Sequence, residues 1–250
     1  MLKAGIEEIG KPWQASREGT PQGGPLSPML ANVYLHYLLD EKFAEVFGHN
    51  PRVKLFRFAD DFVIVAVNPG ELKTARRLLH AWMTDAQLSL NPEKTREVDM
   101  TNYNRSHASK FDFLGFKLHL RAYKDNPKRF WIARQPSEKS RHALRRAIRD
   151  RAQAHLSVAV VRQKILATWL GWCNYFRHSN GNRIFQRERD SVKRLVWRYL
   201  RRKFRRCGKL VAWSRLALLA AELMKEIRPV RVINDSAREK QFALFELGRA

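Results

Sequence analysis

Residues 53–58 and 62–67 are two short apolar runs separated only by Ala59, Asp60 and Asp61. Runs of this length, rich in Val, Ile and Phe and meeting at a tight polar break, predict two strands of one antiparallel β-hairpin. That hairpin constrains its neighbours. Leu30, Val33, Tyr34, Tyr37, Leu38 and Phe43 recur near helical spacing, so a helix is predicted over 29–46. Ser27 is placed as its cap, with Pro28 at the first helical position. A second helix is predicted over 72–86. Residues 1–28, broken by Gly19, Pro21, Gly23, Gly24, Pro25 and Pro28, read as loop.

Further strands are expected at 88–90, 96–98 and 111–120, with 130–133 pairing with the last. Helix, hairpin, helix and strands in this order predict an α+β domain: an antiparallel sheet with helices on one face. The pattern changes at Pro136. Three helices follow, over 137–155, 160–178 and about 183–206, with Asn180-Gly181-Asn182 breaking the second from the third. The expected domains are 1–135, a basic all-α three-helix bundle over 136–209, and a C-terminal extension over 210–250 holding a shorter helix and a tail. Trp169, Trp172 and Trp197 fall at core spacing. His36, His107, His119 and His178 have no metal-ligand spacing and read as structural.

Charge indicates the partner. The 250 residues carry 48 Lys and Arg against 24 Asp and Glu, a net charge of +24. A folded chain, 44% hydrophobic, bears such self-repulsion most readily beside a polyanion, and nucleic acid fits better than a membrane surface. Over 137–209 there are 21 Lys and Arg against four Asp and Glu, so most of the excess lies on the predicted bundle. Cys173 and Cys207 form no CxxC or Cys/His cluster, which argues against zinc and for free thiols. The N-terminal residues lack a leader pattern, and no apolar run is long enough to span a bilayer. The chain is expected to be cytoplasmic and associated with nucleic acid.

Asp60 and Asp61 carry the chemistry. Hard divalent cations take carboxylate oxygens, and phosphoryl transfer onto a growing strand uses two such ions about 4 Å apart. Adjacent aspartates at a rigid exposed turn offer those oxygens. Aspartates also suit turns for conformational reasons alone, so the pair by itself leaves both readings open.

Wider motifs bear on the choice. Gly-Thr-Pro-Gln-Gly-Gly-Pro-Leu-Ser-Pro (19–28), Ala-Asn-Val-Tyr-Leu-His (31–36), Phe-Ala-Asp-Asp (58–61), Leu-Asn-Pro-Glu-Lys-Thr (90–95) and Phe-Asp-Phe-Leu-Gly-Phe (111–116) stand in order. This series resembles the palm of group II intron-type reverse transcriptases. Trp-Leu-Gly-Trp-Cys-Asn-Tyr-Phe (169–176) is similar to the maturase region that follows the palm in that family.

The resemblance implies a partial polymerase palm followed by a thumb/maturase bundle, acting in RNA-directed DNA synthesis and in intron RNA binding. It implies that Asp60 ligands Mg²⁺ with Asp61 as a second acidic partner. Phe58, where the family usually has tyrosine, would pack at the primer end. Gln22 and Gly23 would lie near the incoming nucleotide, although the glycine also suits a tight loop. Lys94 would face the triphosphate or remain a solvated loop lysine. Leu114, Gly115 and Phe116 would form a primer grip or a hairpin with a packing role. Arg145, Arg146, Arg149, Arg201, Arg202, Lys203, Arg205 and Arg206 would contact template–primer duplex and intron RNA. Some of the bundle cations would only solvate a helix face.

The family's site has a further aspartate on an earlier palm strand. No aspartate precedes Asp40 here, and Asp40 sits late in a predicted helix, a poor substitute. The two-metal site is therefore expected to be completed only with an upstream Asp, with the missing N-terminal half as a candidate partner chain, and the protein is expected to be bacterial. The alternative is a non-catalytic splicing cofactor that binds intron RNA.

Overall fold

A computed structural model describes residues 25–100, 109–123, 125–126, 129–204, 225 and 227. The expectations for the 1–24 part of the first loop, Gln22, Gly23, His107, Arg205, Arg206 and nearly all of 210–250 lie outside the described residues. The chain divides into two compact units, Met1–Glu97 and Val98–Ala250.

The described part of the first unit begins with three consecutive helical segments: α1 (Ser27–Leu35), a π-turn (His36–Glu41) and α2 (Lys42–Phe47). Ser27 is not the cap. The helix begins at Ser27 itself, Leu26 occupies the cap position, and no side chain caps it, so Pro28 is the second helical residue rather than the first. Tyr34 donates from its hydroxyl to the Ala86 carbonyl, 3.2 Å away.

The hairpin is formed by β1 (Val53–Phe58) and β2 (Asp61–Ala66), paired from Val53 opposite Ala66 to Phe58 opposite Asp61. Asn68 caps α3 (Pro69–Asp85) by accepting from the Glu71 amide at 2.8 Å, and Pro69 starts the helix where no amide is needed. Ala75, Leu79 and Met83, four apart, bury one face of α3 against Leu38, Leu39, Phe43, Phe47 and Val53. Each fully buried aliphatic or aromatic side chain of this kind contributes about 2 kcal/mol from lost water contact.

Residues 88–90 and 96–98 are not strands. The Leu88 amide turns back to the Met83 carbonyl at 2.8 Å, Gln87 takes a positive φ of 56°, and Leu90 packs on the Leu38–Met83 cluster. The apolar residues there close the helix end rather than join a ladder.

The second unit holds a three-stranded antiparallel sheet, β3 (Lys110–Phe113), β4 (Phe116–Ala122) and β5 (Phe130–Pro136), in that spatial order. The strand expected over 111–120 is in fact two strands. Leu114 and Gly115 both take positive φ, 48° and 76°, and reverse the chain in two residues. The expected pairing of 130–133 with its predecessor holds, and it continues to Pro136.

Three helices follow: α4 (Glu138–Arg151), capped by Ser137, α5 (Val158–Tyr175), capped by Ser157, and α6 (Asn182–Lys203). Val161, Ile165, Trp169 and Cys173 of α5 meet Leu144 and Ile148 of α4 and Phe185, Val192, Val196 and Tyr199 of α6 in one core. Trp172 and Trp197 pack against that core. Asn180, between α5 and α6, donates its amide to the Arg134 carbonyl at 2.7 Å and accepts from the Arg134 amide at 3.1 Å. It thereby satisfies the outer edge of β5. The sheet thus shares a compact unit with the helices, and the described residues form a mixed α/β structure with two small antiparallel sheets.

Candidate functional site

Asp60 lies in the two-residue loop between β1 and β2, and Asp61 opens β2. Both side chains are exposed, as is the neighbouring Phe58 at 65%. Alternation along the strands sends Val53, Leu55 and Arg57 toward the core and leaves Phe56 and Phe58 on the open face.

Arg57 fastens the turn from beneath. Its Nε donates to Asp40 Oδ1 at 2.8 Å, its Nη2 to Asp40 Oδ2, and its Nη1 both to the Ala59 carbonyl at 2.9 Å and to Asn32 Oδ1 at 3.1 Å. Ala59 itself has a φ of 53°. The bonds from Arg57 hold the Asp40 carboxyl below the ordinary carboxylate range against the opposing effect of burial, and His36 adds to the lowering. Asp40 is thus engaged with Arg57 and is not a free metal donor.

Two adjacent exposed carboxylates are the hard-oxygen donors Mg²⁺ takes, and they fit part of a metal site. Among the described residues no group of three His, Cys, Asp or Glu is placed to hold an ion.

Lys94 is exposed on a turn that Asn91 organises, with the Lys94 amide 3.2 Å from the Asn91 carbonyl and the Glu93 amide 3.0 Å from Asn91 Oδ1. In the second unit the Leu114-Gly115 turn is fixed on three sides. Tyr175 donates from its hydroxyl to the Leu114 carbonyl at 2.9 Å, and the Ser137 amide and Ser140 hydroxyl donate to the Gly115 carbonyl at 2.9 and 3.0 Å. Phe116 packs between Tyr175 and Phe176, with ring centroids 5.7 and 4.8 Å away.

The cations of the bundle separate by environment. Arg146 is 82% exposed with only a 3.9 Å approach to Asp150, and Arg149 and Arg201 are also exposed. Arg145 is committed inward. It donates from Nε and Nη2 to Glu188, which is 1% exposed and also accepts from Arg141 Nε at 2.7 Å. Arg202 donates to the Ala152 carbonyl at 2.7 Å, and Lys203 to the Ala154 and Leu156 carbonyls, so both tie α6 to the α4–α5 connection.

His36 lies 3.3 Å from Asp40, and His178 accepts from Arg177 Nε at 3.0 Å. His119 is held below its usual range by burial and by Arg121, Lys117 and Lys110.

Sequence reasoning missed Arg57 and Glu188. For Glu188 a signal existed: it lies at core spacing with Phe185, Val192 and Val196, an acid on the apolar stripe of a basic helix. For Arg57 none did, since its partner Asp40 approaches from a separate helical segment.

Comparison with known proteins gives two matched segments. Residues 6–118 match the reverse transcriptase (RNA-dependent DNA polymerase) family. Residues 138–217 match the group II intron maturase-specific domain. A stretch of 94 residues is 27% identical to the telomerase reverse transcriptase of Takifugu rubripes, covering 38% of this chain and only 9% of that protein. The first match, which contains the Asp60-Asp61 turn, defines the class as reverse transcriptase. With the maturase-specific segment following it, the chain belongs to the group II intron-type reverse transcriptases/maturases.

Proposed function

We propose that the chain supplies the Asp60-Asp61 part of a two-metal centre for RNA-directed DNA synthesis, and that its helical bundle binds intron RNA and template–primer duplex. The observation carrying this reading is the pair of exposed carboxylates at the end of a hairpin, within the segment similar to reverse transcriptases. Bound Mg²⁺ would activate the primer hydroxyl and neutralise the triphosphate. The chain's own residues have separate tasks. Asp60 and Asp61 present oxygens, Phe58 offers an apolar face to the primer end, and Lys94 adds a positive charge for phosphate. Gln22 and Gly23 would border the nucleotide. Leu114, Gly115 and Phe116 would press on the primer through a turn that α4 and α5 keep rigid.

For RNA and duplex the exposed Arg146, Arg149 and Arg201 are the leading contacts, together with Arg205 and Arg206. Arg145, Arg202 and Lys203 would serve mainly by holding the bundle's shape. A two-metal centre needs another carboxylate, supplied by residues other than those described or by a second polypeptide. Phe56, Phe58 and Val65 on the open hairpin face, and Met29, Val33, Tyr34 and Tyr37 on the first helical rod, are large exposed apolar groups that support such a further segment.

A second reading, a splicing cofactor without polymerase activity, draws on the net +17 charge of 137–209 and its match to the maturase-specific domain. Primer extension on an RNA template with Mg²⁺ separates the two. The test uses the full chain with a polypeptide carrying the upstream strand of the site. Asp60→Ala should abolish synthesis and leave RNA affinity within about twofold. Synthesis that survives Asp60→Ala removes the aspartate from the chemistry. Absence of synthesis by the unsubstituted mixture favours the splicing cofactor.

A further inference from the structure

We propose that Arg57, locked in place by Asp40, is the positioning residue of the Asp60-Asp61 turn and sets the direction in which the two carboxylates leave the hairpin. The proposal rests on the metal-binding reading of that turn. Four observations converge on it.

First, the guanidinium is nearly enclosed, 12% exposed, on the inward face of β1 just before the turn. Second, it makes bonds in two directions at once: its Nε and Nη2 grip both oxygens of Asp40, while its Nη1 reaches forward to the Ala59 carbonyl. Third, Ala59 has a positive φ, a conformation L side chains avoid, so its peptide stays in that orientation only under an outside constraint. The Ala59 carbonyl belongs to the peptide that joins Ala59 to Asp60. Fixing it therefore fixes the plane from which the Asp60 side chain departs.

Fourth, Asp40 stands in the π-turn, His36–Glu41, inside an otherwise α-helical rod. Such interruptions turn a side chain out of the regular helical register and recur at functional sites. Asp40, whose carboxylate holds Arg57, lies within that interruption. Only a planar fork can grip a carboxylate on one edge and a carbonyl on the other; an ammonium is a point charge without that geometry.

The alternative is that Arg57–Asp40 is an ion pair of the core with no influence on the carboxylates. The test is a titration of the ¹⁵N-labelled full chain with Mn²⁺, reading the paramagnetic broadening of the Asp60 and Asp61 amide signals. Thermal unfolding of each variant is measured in parallel. Unsubstituted protein should show saturable broadening at these two amides, and Asp60→Asn should remove most of it. If Asp60→Asn broadens as the unsubstituted protein does, the metal-binding reading of the turn fails, whatever Arg57 does.

Given that site, Arg57→Lys should weaken apparent Mn²⁺ affinity about tenfold and move the amide shifts of Ala59, Asp60 and Asp61. The amides of α3 should stay in place. Should Arg57→Lys fail to fold, Asp40→Asn, which keeps one acceptor and the shape, gives the same reading. Unchanged Mn²⁺ affinity in a folded variant overturns the proposal. So does loss of folding in both variants, because a pair that the whole unit requires is a core ion pair rather than a positioning device.

Discussion

Glu188 sits where an apolar residue would be expected, on the buried stripe of α6, and two arginines of α4 make its burial tolerable. Removing it leaves two guanidiniums partly enclosed without an anion, the costly way to break a buried ion pair. Glu188→Ala should lower stability by about 3–5 kcal/mol, seen as a shifted urea midpoint. Replacing Glu188, Arg141 and Arg145 together by apolar residues of similar volume should recover most of that loss.

Asp40 makes a second prediction at the same scale. Its folded-state pKa is depressed, so it contributes stability above the unfolded value, and that contribution is lost as pH falls through the folded value. The first unit should weaken below about pH 4, and Asp40→Asn should flatten the acid limb of a stability–pH curve. Neither role was readable from residue type alone. Arg57 looks like one more cation in a basic chain, and its meaning comes from an aspartate 17 positions away that reaches it across the unit. The exposed turn that carries Asp60 and Asp61, by contrast, was legible because two apolar runs meet at just three residues.

At the scale of elements, period was a good guide to helices. Val161, Ile165, Trp169 and Cys173 repeat every fourth residue and lie on the buried face of α5. Period failed at Phe111–Phe116, where apolar residues on both sides of Leu114-Gly115 read as one continuous run. The reversal there depends on Tyr175, Ser137 and Ser140, partners that no local pattern shows. A Cβ added to Gly115 would lie 2.9 Å from Ser140 Oγ and 3.5 Å from Phe176 Cζ, at a φ of 76°. Gly115→Ala should therefore cost about 1–2 kcal/mol, measured by thermal unfolding of the second unit. Adding Ser140→Ala should return only the part due to the close contact.

For the molecule as a whole, the decisive property is where charge lies relative to the two matched segments. Most of the excess of Lys and Arg falls within the maturase-like segment, and three of its candidate contacts are bonded to Glu188 or to carbonyls of the α4–α5 connection. Fewer phosphates are therefore within reach than a count of cations implies. With about five contacts, RNA affinity should fall on the order of a few hundredfold between about 50 and 200 mM salt. A filter-binding series at several salt concentrations checks this, and a much steeper slope would mean that Arg145, Arg202 and Lys203 also face the backbone. No helix among the described residues is long and apolar enough to cross a membrane.

The π-turn in the first rod has a genetic consequence. A helix acquires such a turn when one residue more than the α-repeat allows is accommodated, so deleting a single codon within 36–41 would let the rod heal into a regular helix. Each residue of an α-helix advances by about 100°. The six residues of the wider turn cover about the arc that five cover in a regular helix, so the flanks would keep their faces, with Tyr34 still near the Ala86 carbonyl and Asn32 near Arg57. A single in-frame loss within 36–41 would therefore leave the rest of the rod in place and remove only the wide turn from which Asp40 reaches Arg57; the same loss elsewhere along the rod would shift its faces.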